Sequence, residues 1–156
     1  MVRLPAAVPL AAAAVVTASL GVTGCSARGP IAAANAYIPA PTTPGRTVAY
    51  LQIRNNGAAD ELVAAHTSAG GTVALRAPVT RGTRVMAMRN VSEIAVPADS
   101  TLRLDPNSYH LLISGAGAMP SGKAITVTLT FAHAGSISVI ALVTDPESGG
   151  SGYFLS

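Results

Sequence analysis

The most regular stretch of the chain alternates strictly: Ile125, Val127, Leu129 and Phe131 are separated by Thr126, Thr128 and Thr130. Successive side chains of a strand point to opposite faces, so this pattern predicts a strand with four apolar side chains on one face and three hydroxyls on the other. After a turn at His133-Ala134-Gly135, the residues Ile137, Val139, Ala141 and Val143 repeat the period. Earlier, Ala49, Leu51 and Ile53 alternate with Tyr50 and Gln52, and Asn55-Asn56-Gly57 follows as a turn whose residues tolerate positive φ. Further strands are predicted over Leu62–His66, Thr72–Arg76, Arg84–Asn90, Thr101–Leu104 and Tyr109–Ser114. Turn residues at Ala69-Gly70-Gly71, Arg81-Gly82, Pro97-Ala98-Asp99 and Pro106-Asn107 separate them. About eight short strands at this spacing predict an all-β domain, an antiparallel sandwich or barrel, with no helix and no solenoid repeat.

The first 25 residues follow another rule. Arg3 supplies a short positive start, and from Leu4 to Leu20 only Thr17 and Ser19 interrupt Ala, Val, Leu and Pro. This is the apolar region of a signal peptide, since a membrane span needs about 20 residues and Pro5 and Pro9 disfavour it. Val22-Thr23-Gly24-Cys25 then looks like a bacterial lipobox, in which the thiol of Cys25 receives a diacylglycerol after cleavage. That fate accounts for a lone cysteine, which can form no internal disulfide. With two or more acyl chains the membrane anchoring would be stable. Ser26 to Arg46 carries Gly29, Pro30, Pro39, Pro41, Pro44 and Gly45 and reads as a tether, although Ala36-Tyr37-Ile38 suits the start of a β-domain. The expected organisation is a signal peptide over 1–24, a lipidated Cys25 and flexible tether over 25–45, a β-domain over 46–144, and a Gly/Ser-rich flexible tail over 145–156.

Composition narrows the function. Apolar residues make up 49% of the chain and charged ones only 11%, which excludes a disordered polymer. The formal charge of +3 arises from nine Arg and one Lys against seven acids, too little and too scattered for nucleic acid. No nucleophile with a base can be assembled, so an enzyme is not expected. Asp60, Glu61 and Asp99 adjoin turn residues and read as solvated. Arg76, Arg81, Arg84 and Arg89 form a basic segment that reads as a solvated face or a surface for an anion or acidic partner. What remains is three His and, beyond the signal peptide, three Met. Such soft and borderline ligands suit copper when they converge. Met86 and Met88 are two apart on one predicted strand and so share a face. His110 and Leu112 share a face on another.

At these residues the chain resembles a known family. Tyr50-Leu51-Gln52-Ile53-Arg54-Asn55, Ala59-Asp60-Glu61-Leu62-Val63 and Val85-Met86-Ala87-Met88-Arg89 are similar to segments of the PCu(A)C copper chaperones. So are Ile94-Ala95-Val96-Pro97-Ala98, Leu102-Arg103-Leu104, Tyr109-His110-Leu111-Leu112, and Leu129-Thr130-Phe131 through Ala134-Gly135. The resemblance spans about residues 46 to 143. It implies a cupredoxin-like, antiparallel Greek-key sandwich. It also implies a surface His/Met copper site, with copper bound as Cu(I), and delivery of that copper to a partner such as the copper centre of cytochrome oxidase.

The family pattern runs His, often followed by Met, then ten residues, Met, twenty-one residues, and His-x-Met. Met88 and His110 keep the twenty-one-residue interval. Leu112 stands where the last Met is expected and cannot ligate. The first His would fall at Arg76 or Ala77, and Arg is permanently cationic. The metal ligands implied are therefore Met88 and His110, with Met86 as the nearest supplement and His66 or His133 only if the fold carries them to the same end. Two functions follow: a lipid-anchored extracytoplasmic copper chaperone, or a surface lipoprotein that kept the fold, lost the metal and acts as a binding or scaffold module.

Overall fold

The computed structural model describes residues 29–145, so the predicted signal peptide, Cys25 and the tail beyond Asp145 lie outside the described residues. Ten strands are present: β1 (Ile31–Pro39), β2 (Arg46–Asn55), β3 (Asp60–Thr67), β4 (Thr72–Arg81), β5 (Arg84–Val91), β6 (Ile94–Val96), β7 (Ser100–Leu104), β8 (His110–Ser114), β9 (Ala124–Phe131) and β10 (Gly135–Thr144). All eight expected strands form. The domain is all-β, with no helix among the described residues.

The strands hydrogen-bond in the order β5-β4-β8-β2-β1-β10-β9-β3-β6, with β7 also on β2. Strand β2 joins two halves. Its first residues pair with β8 (Ala49 opposite Leu111), and its later ones pair with β7 (Leu51 opposite Leu104). Residues from both halves, including Leu75, Leu111, Ile113, Leu62, Leu129 and Val143, enter one buried cluster, so the sheet closes around a single aliphatic core. All pairings are antiparallel except β1 with β10. The alternation of β9 is realised as predicted: Ile125, Val127, Leu129 and Phe131 are buried. On the other face, Thr128 and Thr130 share hydroxyl hydrogen bonds of 3.0 Å with Ser138 and Ser136 of β10.

Two strands depart from the expectation. Ile31–Pro39 is not tether but β1, in the middle of the sheet between β2 and β10. Its period is broken by an extra residue between Ala34 and Tyr37, where Asn35 takes φ 53°. The bulge leaves Ala36, Tyr37 and Ile38 buried in succession, so no alternation shows in the sequence. Strand β6 is only three residues long, too short for a period to register.

The Asn55-Asn56-Gly57 turn forms, but not through positive φ at these residues. Asn55 is buried, and its amide donates to the carbonyls of Ala58 (2.7 Å) and Pro97 (3.1 Å) while its Oδ1 accepts from Gly57 N (3.0 Å). Gly57 is required by space, since a Cβ there would lie 2.6 Å from Pro30 Cβ. Asp60 is not solvated as its position beside a turn suggested. It is buried and accepts from the backbone N–H groups of Glu61 (2.8 Å), His133 (3.0 Å) and Ala134 (2.8 Å), which locks the β9–β10 turn onto β3.

Candidate metal centre

The register of β5, β4 and β8 decides what the predicted ligands can do. Arg76 of β4 lies directly between Asn90 of β5 and His110 of β8. Leu111 and Ile113 are fully buried in the core, so by alternation His110 and Leu112 belong to the outer face. Leu75 and Ala77 turn to the buried side in the same way, which leaves Arg76 outside with His110. The row continues beyond β8. The ring of Tyr50 meets His110 edge-on at 6.1 Å, and Tyr37, opposite Tyr50 on β1, lies 5.1 Å from it between ring centroids. Asn90, Arg76, His110, Tyr50 and Tyr37 thus form one row across five strands, open at the β5 end and closed at the β1 end.

Arg76 is held firmly in this row. Its guanidinium donates to Asn90 Oδ1 (2.6 Å) and to the carbonyl oxygen of Met88 (2.8 Å). His110 is buried, and its Nδ1 has no hydrogen-bond partner among the described residues. Burial chiefly pushes the imidazole pKa below its usual value, and the charge of Arg76 adds to this, against an opposing interaction with the Ser108 backbone. The imidazole is therefore neutral at pH 7, the form in which a ring nitrogen can ligate a metal. Burial, together with nearby Asp105, also raises the phenol pKa values of Tyr50 and Tyr37; for Tyr37, Tyr50 contributes as well.

Met88 pairs with Pro78, two residues along β4 from Arg76. Strand spacing and rise put its Cα roughly 12 Å from that of His110. The two side chains can share an ion only by leaning across β4, where Arg76 stands. Pro78 is tolerated because β4 has left β8 by this point and pairs only with β5. Met86 does not join by simple alternation. Val79 opposes Ala87 and Thr80 opposes Val85, so Met86 is the extra residue of a bulge, exposed at 57%. Leu112 sits opposite Ala74 on the face of His110. His66 lies on β3 opposite Thr128, in the other half of the sheet. His133 is at the β9–β10 turn, with Nδ1 3.1 Å from Asp60 Oδ1. The fold brings neither histidine to His110, and no group of three or more His, Cys, Asp or Glu is placed to hold a metal among the described residues. Sequence reasoning did not find the partnership of Tyr37, Tyr50 and Asn90 with His110. It exists only through register, and no spacing in the sequence carries it.

A domain with this strand order has the fold of PCuAC domains. The "Copper-bound PCuAC domain from PmoF2" superimposes with a TM-score of 0.64, at 22% identity, covering 76% of this chain and 95% of that one. The "Solution structure of CuI-DR1885 from Deinococcus Radiodurans" gives a TM-score of 0.61, at 24% identity, covering 78% of this chain and 83% of that one. Residues 31–143 match the family described as "Putative lipoprotein LpqE-like", and the chain belongs to that family. A relative in Leifsonia xyli subsp. xyli, "Putative lipoprotein Lxx21020", is 30% identical over 154 residues, with 90% of this chain and 92% of the relative covered.

Proposed function

We propose that the protein is a lipid-anchored extracytoplasmic copper-chaperone-like protein that binds Cu(I) at the outer-face row and passes it to a partner without catalysing a reaction. The observation that carries this reading is His110: a buried, neutral imidazole whose Nδ1 has no hydrogen-bond partner among the described residues. Met88, diagonally across β4, is the second ligand, and Met86 can add a third only if the bulge swings it inward. The copper-bearing structures of the same fold support the choice of ion. The recipient by resemblance is a copper centre such as that of cytochrome oxidase. The anchor is Cys25, so Cys25→Ala should move the protein from the detergent phase to the aqueous phase in a partition assay.

Arg76 favours a second reading, in which the fold is kept and copper is lost. A fixed cation occupies the space between the two ligands and repels a metal ion by on the order of 1 kcal/mol in a well-solvated setting. Competition titration against a Cu(I) chelator separates the two. Under the first reading wild type binds weakly, and Arg76→His with Leu112→Met binds more tightly than either single change, because both new ligands act on one ion. A silent wild type with a binding double mutant selects the second reading. Silence in both means that the geometry no longer admits copper.

A further inference from the structure

The lower half of the β4–β5 hairpin is not accounted for by the core or by the row around His110. Beyond Arg76 the residues of β4 pair only with β5, and β5 is the end of the strand order. The two strands therefore extend as an arm flanked by no third strand, an arrangement that is marginal by itself in water. Its side chains are unusual for such an arm. Val79 and Met86 are large apolar residues at 40% and 57% exposure, and Arg81 and Arg84 oppose each other at the tip.

The register fixes which end of the domain the tip occupies. Thr72 and Arg46 both pair with Ser114, and β4 and β2 then run in the same direction. Both strands then run nine residues on toward the same end, β4 to Arg81 and β2 to Asn55. Asn55 pairs with Ile31, the first residue of β1, and with Ser100. At this same end a shallow groove of about 570 Å³ runs over Ala32 and Ala34, with Arg54 and Arg103 on its walls. The acids there are Asp99 beside the groove, exposed Glu61, and Asp60, whose charge is already taken up by backbone N–H groups. Arginine thus outnumbers exposed acid at the end from which the chain leads back to Cys25. Only five residues lie between Cys25 and Ile31, so the six Cα–Cα steps limit the tether to about 20 Å fully extended.

We propose that the β4–β5 tip is a membrane-docking element, with Arg81 and Arg84 meeting anionic phospholipid headgroups while Met86 and Val79 enter the interface. The proposal rests on the lipid anchor at Cys25. A short tether holds this end against the bilayer at high effective concentration, so that weak surface contacts suffice. Exposed apolar side chains flanked by arginines are the chemistry of interfacial binding. An arginine near an anionic surface contributes about fivefold in affinity.

The test uses the full lipidated chain in vesicles of phosphatidylcholine with 30% phosphatidylglycerol. In Met86→Cys the new thiol is the only one open to labelling, because Cys25 is occupied by lipid, and it carries an environment-sensitive dye. The dye should shift to the blue and be quenched by spin-labelled lipid. In pure phosphatidylcholine, or in high salt, both effects should weaken. The same dye on Ser121→Cys, an exposed site near the opposite end, should stay unquenched. Reversing both arginines with Arg81→Glu and Arg84→Glu should weaken docking by about 25-fold or more while the protein remains with the vesicles. A dye at residue 86 that stays in water while the protein is retained overturns the docking and leaves the arm to an acidic protein partner. Equal quenching at 86 and 121 also overturns it. Loss of the whole protein from the vesicles overturns the anchor, and the docking with it.

Discussion

The hairpins β9–β10 and β4–β5 are built alike and used differently. Each joins two long antiparallel strands through a short turn. In β9 every second residue is buried in the core, and the turn is clasped by Asp60 from β3. In β5 no residue is buried, the register slips at Met86, and the turn is held by nothing outside the hairpin among the described hydrogen bonds. Burial explains the first hairpin completely. In the second it accounts for Leu75 and Ala77 of β4 but for no residue of β5. Strand formation alone says nothing about which kind a hairpin is; the difference lies in what its faces meet.

Truncation should expose this contrast most strongly in the core. Leu129→Ala is expected to lower unfolding free energy by about 2–5 kcal/mol in urea titration, the usual cost of a buried cavity. Asp60→Ala comes next, at about 1–3 kcal/mol, because it strands the N–H groups that its carboxylate satisfies. Its effect should be concentrated at the β9–β10 turn, as faster amide exchange at His133 and Ala134.

Acid should reach the outer-face row and the Asp60 clasp of the β9–β10 turn in sequence. His110 has a folded pKa below its usual 6.5, so protons bind the unfolded chain more readily. Its contribution is intact above that value and is lost as pH falls through the lower folded value. Burial pushes the Asp60 carboxyl up, but its hydrogen bonds outweigh that and hold it below the usual 3.8. Its contribution is lost only further into acid. Melting temperature against pH should show both steps, with His110→Gln removing the upper and Asp60→Asn the lower. The smallest effect is expected on the arm: Met86→Ala should change stability by no more than about 0.5 kcal/mol, measured by thermal melting. A larger loss would mean that the arm packs against something and is not a free binding element.

How far the sequence disclosed this arrangement depended on the periodicity of each segment. Ile125 to Phe131 alternates without interruption and was readable as a half-buried strand. Ile31 to Pro39 was not, because the bulge at Asn35 places three buried residues in a row and the surrounding prolines imitate a linker. The Met88–His110 interval was visible as a spacing. The place of Arg76 between their strands was not, since it depends on three strands pairing in one register. Met86 looked equivalent to Met88 because alternation was assumed where the strand carries an extra residue. Asp60 reads as solvated from sequence because its partners in the β9–β10 turn, His133 and Ala134, lie more than seventy residues away.

The single parallel pairing, β1 with β10, has a kinetic consequence. The first and last strands of the domain are neighbours in the middle of the sheet, so closing it requires contacts between residues as distant as Tyr37 and Leu142. Contacts of such separation delay folding. An emerging chain that lacks β10 leaves the edges of β1 and β9 unpaired and cannot complete its core. If the chain is exported unfolded, as the proposed lipid anchor requires, that delay would keep it extended until its final strand has been released.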